Sequence, residues 1–194
     1  ASTVINTIGY QNIFDNGRAQ WAQNGVTGQA VSQSPAQLGN ALINDGNGNQ
    51  WALVKNGILN VRALGAIGNG VIDDYLPFLS AVTSMDAGSA LFIPDGIYRI
   101  TQNLVIDKSI TLKMESSDLN SRLLFDTFIP RTVQTAATHP DDGLDAPISA
   151  ALTIAAAAVE LENIVVDLLV DYTNPSPTNY GTDIDIGILV LSKS

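Results

Sequence analysis

The chain has no cysteine and a single histidine, His139. Without thiols, disulfide scaffolds, thiolate metal centres and cysteine nucleophiles are excluded. One imidazole excludes a multi-histidine zinc site. His139 lies in a Thr-His-Pro-Asp stretch, a poor platform for the rigidly held histidine of a Ser-His-Asp triad. Charge is also scarce: 14% of residues, against roughly 25% in a typical soluble protein. The nine Lys and Arg are scattered and outnumbered by 19 Asp and Glu, giving a net charge of −10. Nucleic acid and anionic membrane surfaces both require clustered basic residues, so neither is an expected partner. Aromatic residues, at 6%, are too few and dispersed for a sugar-stacking platform. No apolar run approaches the roughly 20 residues of a membrane-spanning helix, so membrane insertion is not expected. The longest, Ile148 to Val159, is Ala-rich and broken by Ser and Thr. The first residues lack a basic start followed by an apolar segment, so they predict no cleaved secretory signal.

What is present is 45% hydrophobic residues, ample for a buried core, in 194 residues, the length of one ordinary domain or two small ones. Three zones differ in composition. Residues 1–55 are rich in Asn, Gln, Gly and Ala. Two short helices are expected there, one using Ile13, Phe14, Ala19 and Trp21, the other opening at Pro35 with Leu38, Ala41 and Leu42 on one face. Asn44 to Asn49 reads as a turn cluster. So few apolar anchors make a poor independent core, which predicts a small α or irregular region that needs a partner, with Trp21 and Trp51 as interface or core anchors.

From residue 56 onward, short strand-like runs recur. Leu59–Leu64 alternates; Gly65–Gly70 is a glycine-rich turn; Asp73 or Asp74 can cap a helix over about 74–85 whose apolar face is Leu76, Leu79, Ala81 and Val82. Strands are expected at Ala90–Ile93, Tyr98–Ile100, Leu104–Ile106, Ile110–Met114, Leu123–Phe125, Ala151–Ile154, Val159–Leu161, Ile164–Val170 and Ile186–Leu191, with long loops over 130–147 and around 174–177. Strands without crossover helices do not suit a doubly wound sheet. A sandwich or barrel fits, and so does a parallel β-solenoid, whose open end must be covered. The segment Asp74–Met85 stands where such a cover belongs.

Two blocks bring a family into view. Leu59-Asn60-Val61-Arg62-Ala63-Leu64-Gly65-Ala66-Ile67-Gly68-Asn69-Gly70-Val71-Ile72-Asp73-Asp74 resembles the opening motif of pectate-lyase-like right-handed parallel β-helices, commonly Val-x-Asp-Phe-Gly-Ala-x-Gly-Asp-Gly-x-Thr-Asp-Asp. Leu91-Phe92-Ile93-Pro94-Asp95-Gly96-Ile97-Tyr98-Arg99-Ile100 is similar to that family's Val-x-Ile-Pro-x-Gly-x-Tyr-x-Ile. The chain departs at Leu64, Asn69 and Ile72, where the motif has Phe, Asp and Thr. The resemblance implies a mainly β fold: the first coils of a β-helix over 56–194, an N-terminal capping helix, and structural rather than catalytic roles for Gly65, Gly70, Asp73, Asp74, Pro94, Gly96 and Tyr98. The motif opens many phage tailspikes and several polysaccharide-degrading enzymes. With a partner-needing region at 1–55, it implies a homotrimeric tailspike on the virion tail, with residues 1–55 on a tail or baseplate protein and host surface polysaccharide as the spike's target. A free-standing β-helix polysaccharide lyase or glycoside hydrolase is the alternative. The apolar run Ile186–Leu191 predicts further coils downstream.

Carboxylate pairs that suit glycoside hydrolysis exist at Asp183/Asp185 and Glu160/Glu162, with Asp167 nearby; the simpler reading, and the one adopted, is that they are the solvated face of half-buried strands or turn residues. Asp141-Asp142-Gly143-Asp145 is oxygen-rich but lacks EF-hand spacing, so no metal site is assigned and no cofactor is expected. Gly65-x-x-Gly68-x-Gly70 lacks the helix and acid spacing of a dinucleotide loop.

Overall fold

A computed structural model of the chain describes residues 4–7, 19–23, 42–44, 49–54, 57–118, 120–126, 150–169 and 186–190. These are mainly β, with one α-helix. β1 (Val4–Thr7), β2 (Ala19–Gln23), β3 (Leu42–Asn44) and β4 (Gln50–Leu53) form an antiparallel sheet in the order β1-β2-β4-β3. The helix expected to use Ala19 and Trp21 is therefore a strand, and Leu42, expected to end the second helix, begins another; Ile13, Phe14 and residues 35–41 lie outside the described residues. The physical reason is in the alternation. Trp21 on β2 pairs with Leu53 on β4, and Trp51 lies two residues from Leu53, so all three share one face. That face is buried, and Trp21, Trp51 and Leu53 belong to one core cluster that also holds Leu59 and Val61 of the next segment. Burying two indoles outweighs the weak helical preference of the Gln/Ala-rich sequence. Trp21 and Trp51 thus act as core anchors, and the core runs across the boundary expected at 55/56.

The remaining strands are parallel. β5 (Ile58–Asn60), β7 (Ala90–Ile93), β10 (Thr111–Met114) and β13 (Glu160–Glu162) make one sheet. β6 (Asn69–Asp73), β8 (Ile97–Ile100), β11 (Arg122–Asp126) and β14 (Val166–Leu169) make a second. β9 (Leu104–Ile106), β12 (Ala150–Ile154) and β15 (Ile186–Val190) make a third. Among the described residues, the strands fall in the first, second and third sheet in fixed rotation. Like side chains align in inward rows: Leu59, Leu91, Leu112 and Leu161 in the first sheet, Ile100, Phe125 and Leu168 in the second, and Leu104 beside Leu152 in the third. Each fully buried member contributes about 1.5–3 kcal/mol by leaving water. The outward rows carry Lys113 paired with Glu162, an exposed ion pair worth under about 1 kcal/mol, and Arg122, itself half-buried, paired with Asp167.

The run 59–64, expected as a strand, is a strand only to Asn60. The side chain of Asn60 accepts the Arg62 amide at 2.9 Å and starts a 3-10 turn, Val61–Leu64, that buries Val61, Ala63 and Leu64 together. α1 (Tyr75–Ser84) lies between β6 and β7, where a fourth strand of the third sheet would otherwise fall, and it contacts β9. Phe78, Ala81 and Val82 bury its inner face. Its end is held from the turn after β9: the ammonium of Lys108 donates to the carbonyls of Val82 (3.3 Å), Thr83 and Met85 (3.1 Å). These are the carbonyls an α-helix leaves unpaired, at the negative end of its dipole.

Candidate functional site

The two sequence blocks meet at the front of the stack. The 3-10 turn ends at Gly65, which adopts φ +98. The chain then curls so that the amides of Ile67 and Gly68 donate to the two oxygens of Asp74 at 2.7 and 3.0 Å. Asp74 is only 1% exposed. Burial pushes its carboxyl pKa up; the two amides pull it back but do not cancel the effect. Asp74 occupies the N-cap position of α1, yet its side chain makes no capping bond. The expected capping role therefore divides. Asp73 accepts the Tyr75 amide at 3.0 Å and the Thr101 hydroxyl at 2.7 Å, tying the start of the helix to β8. Asp74 instead turns inward, where its carboxylate accepts the two half-buried amides of the glycine turn.

The second block packs against this turn. Pro94 is buried, and its carbonyl accepts the Tyr98 hydroxyl at 2.8 Å. That hydroxyl accepts Arg62 Nε at 3.1 Å, with the guanidinium 6.0 Å from the ring centroid. The Phe78 ring meets Tyr98 edge-on at 5.5 Å. Gly96 passes so close that a β-carbon there would sit 2.8 Å from the Gly68 carbonyl oxygen. Gly70 faces Ile97 across the second sheet. Asp95 accepts the hydroxyls of Ser116 and Ser121, both at 2.7 Å, and these hold its carboxyl below the usual range. The knot thus fastens three successive passes of the chain. Sequence reasoning missed Arg62, Ser116, Ser121 and Lys108. Only the Pro-Asp-Gly turn around Asp95 hinted that a polar cluster would gather there.

The buried Tyr98 hydroxyl has its pKa pushed up to about 12, chiefly by desolvation. The unfolded chain releases this proton near pH 10, so stability that is fully present below pH 10 is lost as pH rises towards 12. The shift corresponds to about 3 kcal/mol. Denaturant unfolding at pH 9 and pH 11.5 is expected to show this loss, and Tyr98→Phe is expected to lessen it. The same alkaline loss in Tyr98→Phe would show that another group is responsible.

The carboxylate pairs are partly visible. Glu160 accepts the Thr111 hydroxyl at 3.2 Å, Glu162 pairs with Lys113, and Asp167 lies 3.2 Å from Arg122 Nε. Each is held by the neighbouring strand. Asp183, Asp185, Asp141, Asp142, Asp145 and His139 lie outside the described residues. Among the described residues, no three His, Asp or Glu gather as a metal site, and no helix is long and apolar enough to cross a membrane. A shallow open groove runs past Gly88, Ser109, Thr111, Ala158 and Glu160 along one corner of the stack.

No protein-family model matches the chain, and no curated protein does. Among solved structures it is similar to the enzymatically active domain of tailspike protein 2 of bacteriophage CBA120, with 21% identity and a TM-score of 0.56 over 99% of this chain and 24% of that one. It is also similar to full-length tailspike protein 2 of Escherichia coli O157:H7 bacteriophage CAB120, with 17% identity and a TM-score of 0.47 over 96% of this chain and 24% of that one. A further structure, ORF18 of Geobacillus virus E2, gives 17% identity and a TM-score of 0.42 over 77% of this chain and 30% of that one. The chain thus spans about a quarter of the length of the tailspikes it matches. At this identity the likeness to the CBA120 tailspike is one of fold: a mainly β chain with parallel sheets.

Proposed function

We propose that the chain is the front part of a phage tailspike, located on the virion tail. In this reading residues 56–194 form the first coils of a right-handed parallel β-helix closed in front by α1. Residues 1–55 seat the spike on a tail or baseplate protein, and the whole spike is a homotrimer that recognises host surface polysaccharide. The observation that carries the reading is the rotation, among the described residues, of the strands β7 to β15 through three parallel sheets, preceded by β5, β6 and a helix in the remaining place. Exposed Ile58, Val71 and Leu76, at 69%, 68% and 63%, give parallel copies something apolar to bury.

The attachment role is supported by the outer face of the N-terminal sheet. Opposite the buried indoles stand Asn6, Gln20, Ala22, Gln50 and Ala52, with Gln20 donating to Asn6 across the strands at 3.2 Å. None is charged, and depletion of charge marks the centre of protein interfaces. Deleting residues 1–55 would strip Trp21, Trp51 and Leu53 from the core, so point changes are the cleaner test. Ala22→Glu with Ala52→Glu is expected to leave the melting temperature within a few degrees and to abolish incorporation into virions, read by blotting purified particles. Normal incorporation of the folded double variant would overturn the attachment role.

A further inference from the structure

Five Asn-Gly dipeptides occur in the chain, at Asn16, Asn24, Asn47, Asn56 and Asn69. In such a pair the glycine amide nitrogen can attack the asparagine side-chain carbonyl, because no β-carbon hinders the approach. What limits the attack is the negative charge that develops on Oδ1. At Asn69 that charge is provided for. Asn69 is exposed, and its Oδ1 accepts the amides of Val71 at 2.9 Å and Ile72 at 3.0 Å. Two backbone N–H donors at this distance from a carbonyl oxygen are the arrangement that stabilises the oxyanion of acyl transfer, and being fixed in the backbone they need no reorganisation. Gly70 follows with φ +75 in a strand whose pairing register shifts between Asn69 and Asp73.

We infer that Asn69 is a self-modification site, a deamidation centre whose paired amides catalyse its own conversion to an acidic residue. A base removes the Gly70 amide proton, and the nitrogen forms a bond to Asn69 Cγ. The intermediate collapses with loss of ammonia, the leaving nitrogen taking its extra proton from water. Water then opens the resulting succinimide to aspartate or isoaspartate. The net change is amide plus water to carboxylate plus ammonium, with no oxidant or cofactor. The product places a new negative charge beside Val71 and Ile72, which are 68% and 48% exposed, and so alters the apolar surface in front of α1.

The test is peptide mapping by mass spectrometry of the purified protein held at mildly alkaline pH, native and in guanidinium. The other Asn-Gly pairs serve as internal clocks. Asn69 is expected to deamidate roughly tenfold faster in the native protein than in the unfolded chain. A native rate equal to or below the unfolded rate overturns the inference, since the fold would then be neutral or protective. Asn69→Gln lengthens the side chain by one carbon; it is expected to abolish the signal at this site while leaving the clocks unchanged. A signal that persists at residue 69 overturns the assignment.

Discussion

Asp74→Ala is expected to lower the unfolding free energy by about 3 kcal/mol, one of the two largest effects among single changes at the front of the stack. Alanine leaves the Ile67 and Gly68 amides without their acceptor. Each stranded buried donor costs about 1–3 kcal/mol, partly offset by removing a carboxylate that burial already penalises. In a chain of this size the melting temperature should fall by roughly 6–12 °C. Asp74→Asn should lose somewhat less, because its one carbonyl serves one amide while its NH2 group faces the other. The pH dependence follows from the raised pKa. Between that raised value and the ordinary 3.8, the native protein holds the Asp74 proton and the unfolded chain does not. The wild-type advantage over alanine should therefore grow as pH falls through this window and shrink as pH rises through it. A difference below about 1 kcal/mol at neutrality would mean that the glycine turn finds other acceptors, and a difference that is flat with pH would mean that burial does not raise the Asp74 carboxyl.

The second large effect is expected at Gly68→Ala. Gly68 has φ +69, a conformation costing an L-residue about 1–2 kcal/mol. A β-carbon there would stand 2.9 Å from two atoms of the Tyr98 ring. That ring cannot swing aside: it is fully buried, edge-on to Phe78, with its hydroxyl bonded to Pro94 and Arg62. Overpacking adds about 1–3 kcal/mol, so a total near 3 is expected, measured by chemical denaturation. Combining Gly68→Ala with Tyr98→Leu should cost less than the sum of the two, because the smaller side chain admits the new methyl group. Strict additivity would mean that the penalty is purely one of backbone conformation.

Much of the parallel region is legible in the sequence because its rules are local. Alternating runs such as Leu104-Val105-Ile106 and Thr111-Leu112-Lys113-Met114 place one apolar row inward, and the observed strands there match or lie within one residue of the expected ones. The N-terminal sheet was illegible for the opposite reason. Ala19–Gln23 holds one large apolar residue, Trp21, so a period of two and a period of 3.6 describe it equally well. Its strand conformation comes from Leu53, more than 30 residues away, and from the core beneath. The knot was half legible. Glycine, proline and aspartate at fixed offsets announced tight turns, but a capping aspartate and an inward-turned one look identical in sequence. Only the position of the Gly68 amide distinguishes Asp73 from Asp74.

The helix standing where a strand would be has a consequence for how copies of this protein meet. An uncovered strand edge recruits any extended peptide, including its own twin. Here β9 lies under α1, β6 is broken by a register shift, and β5 offers only three residues. Strand addition is therefore hindered on this side of the parallel sheets, which favours recognition through side chains, and side chains can be selected for one partner and against all others.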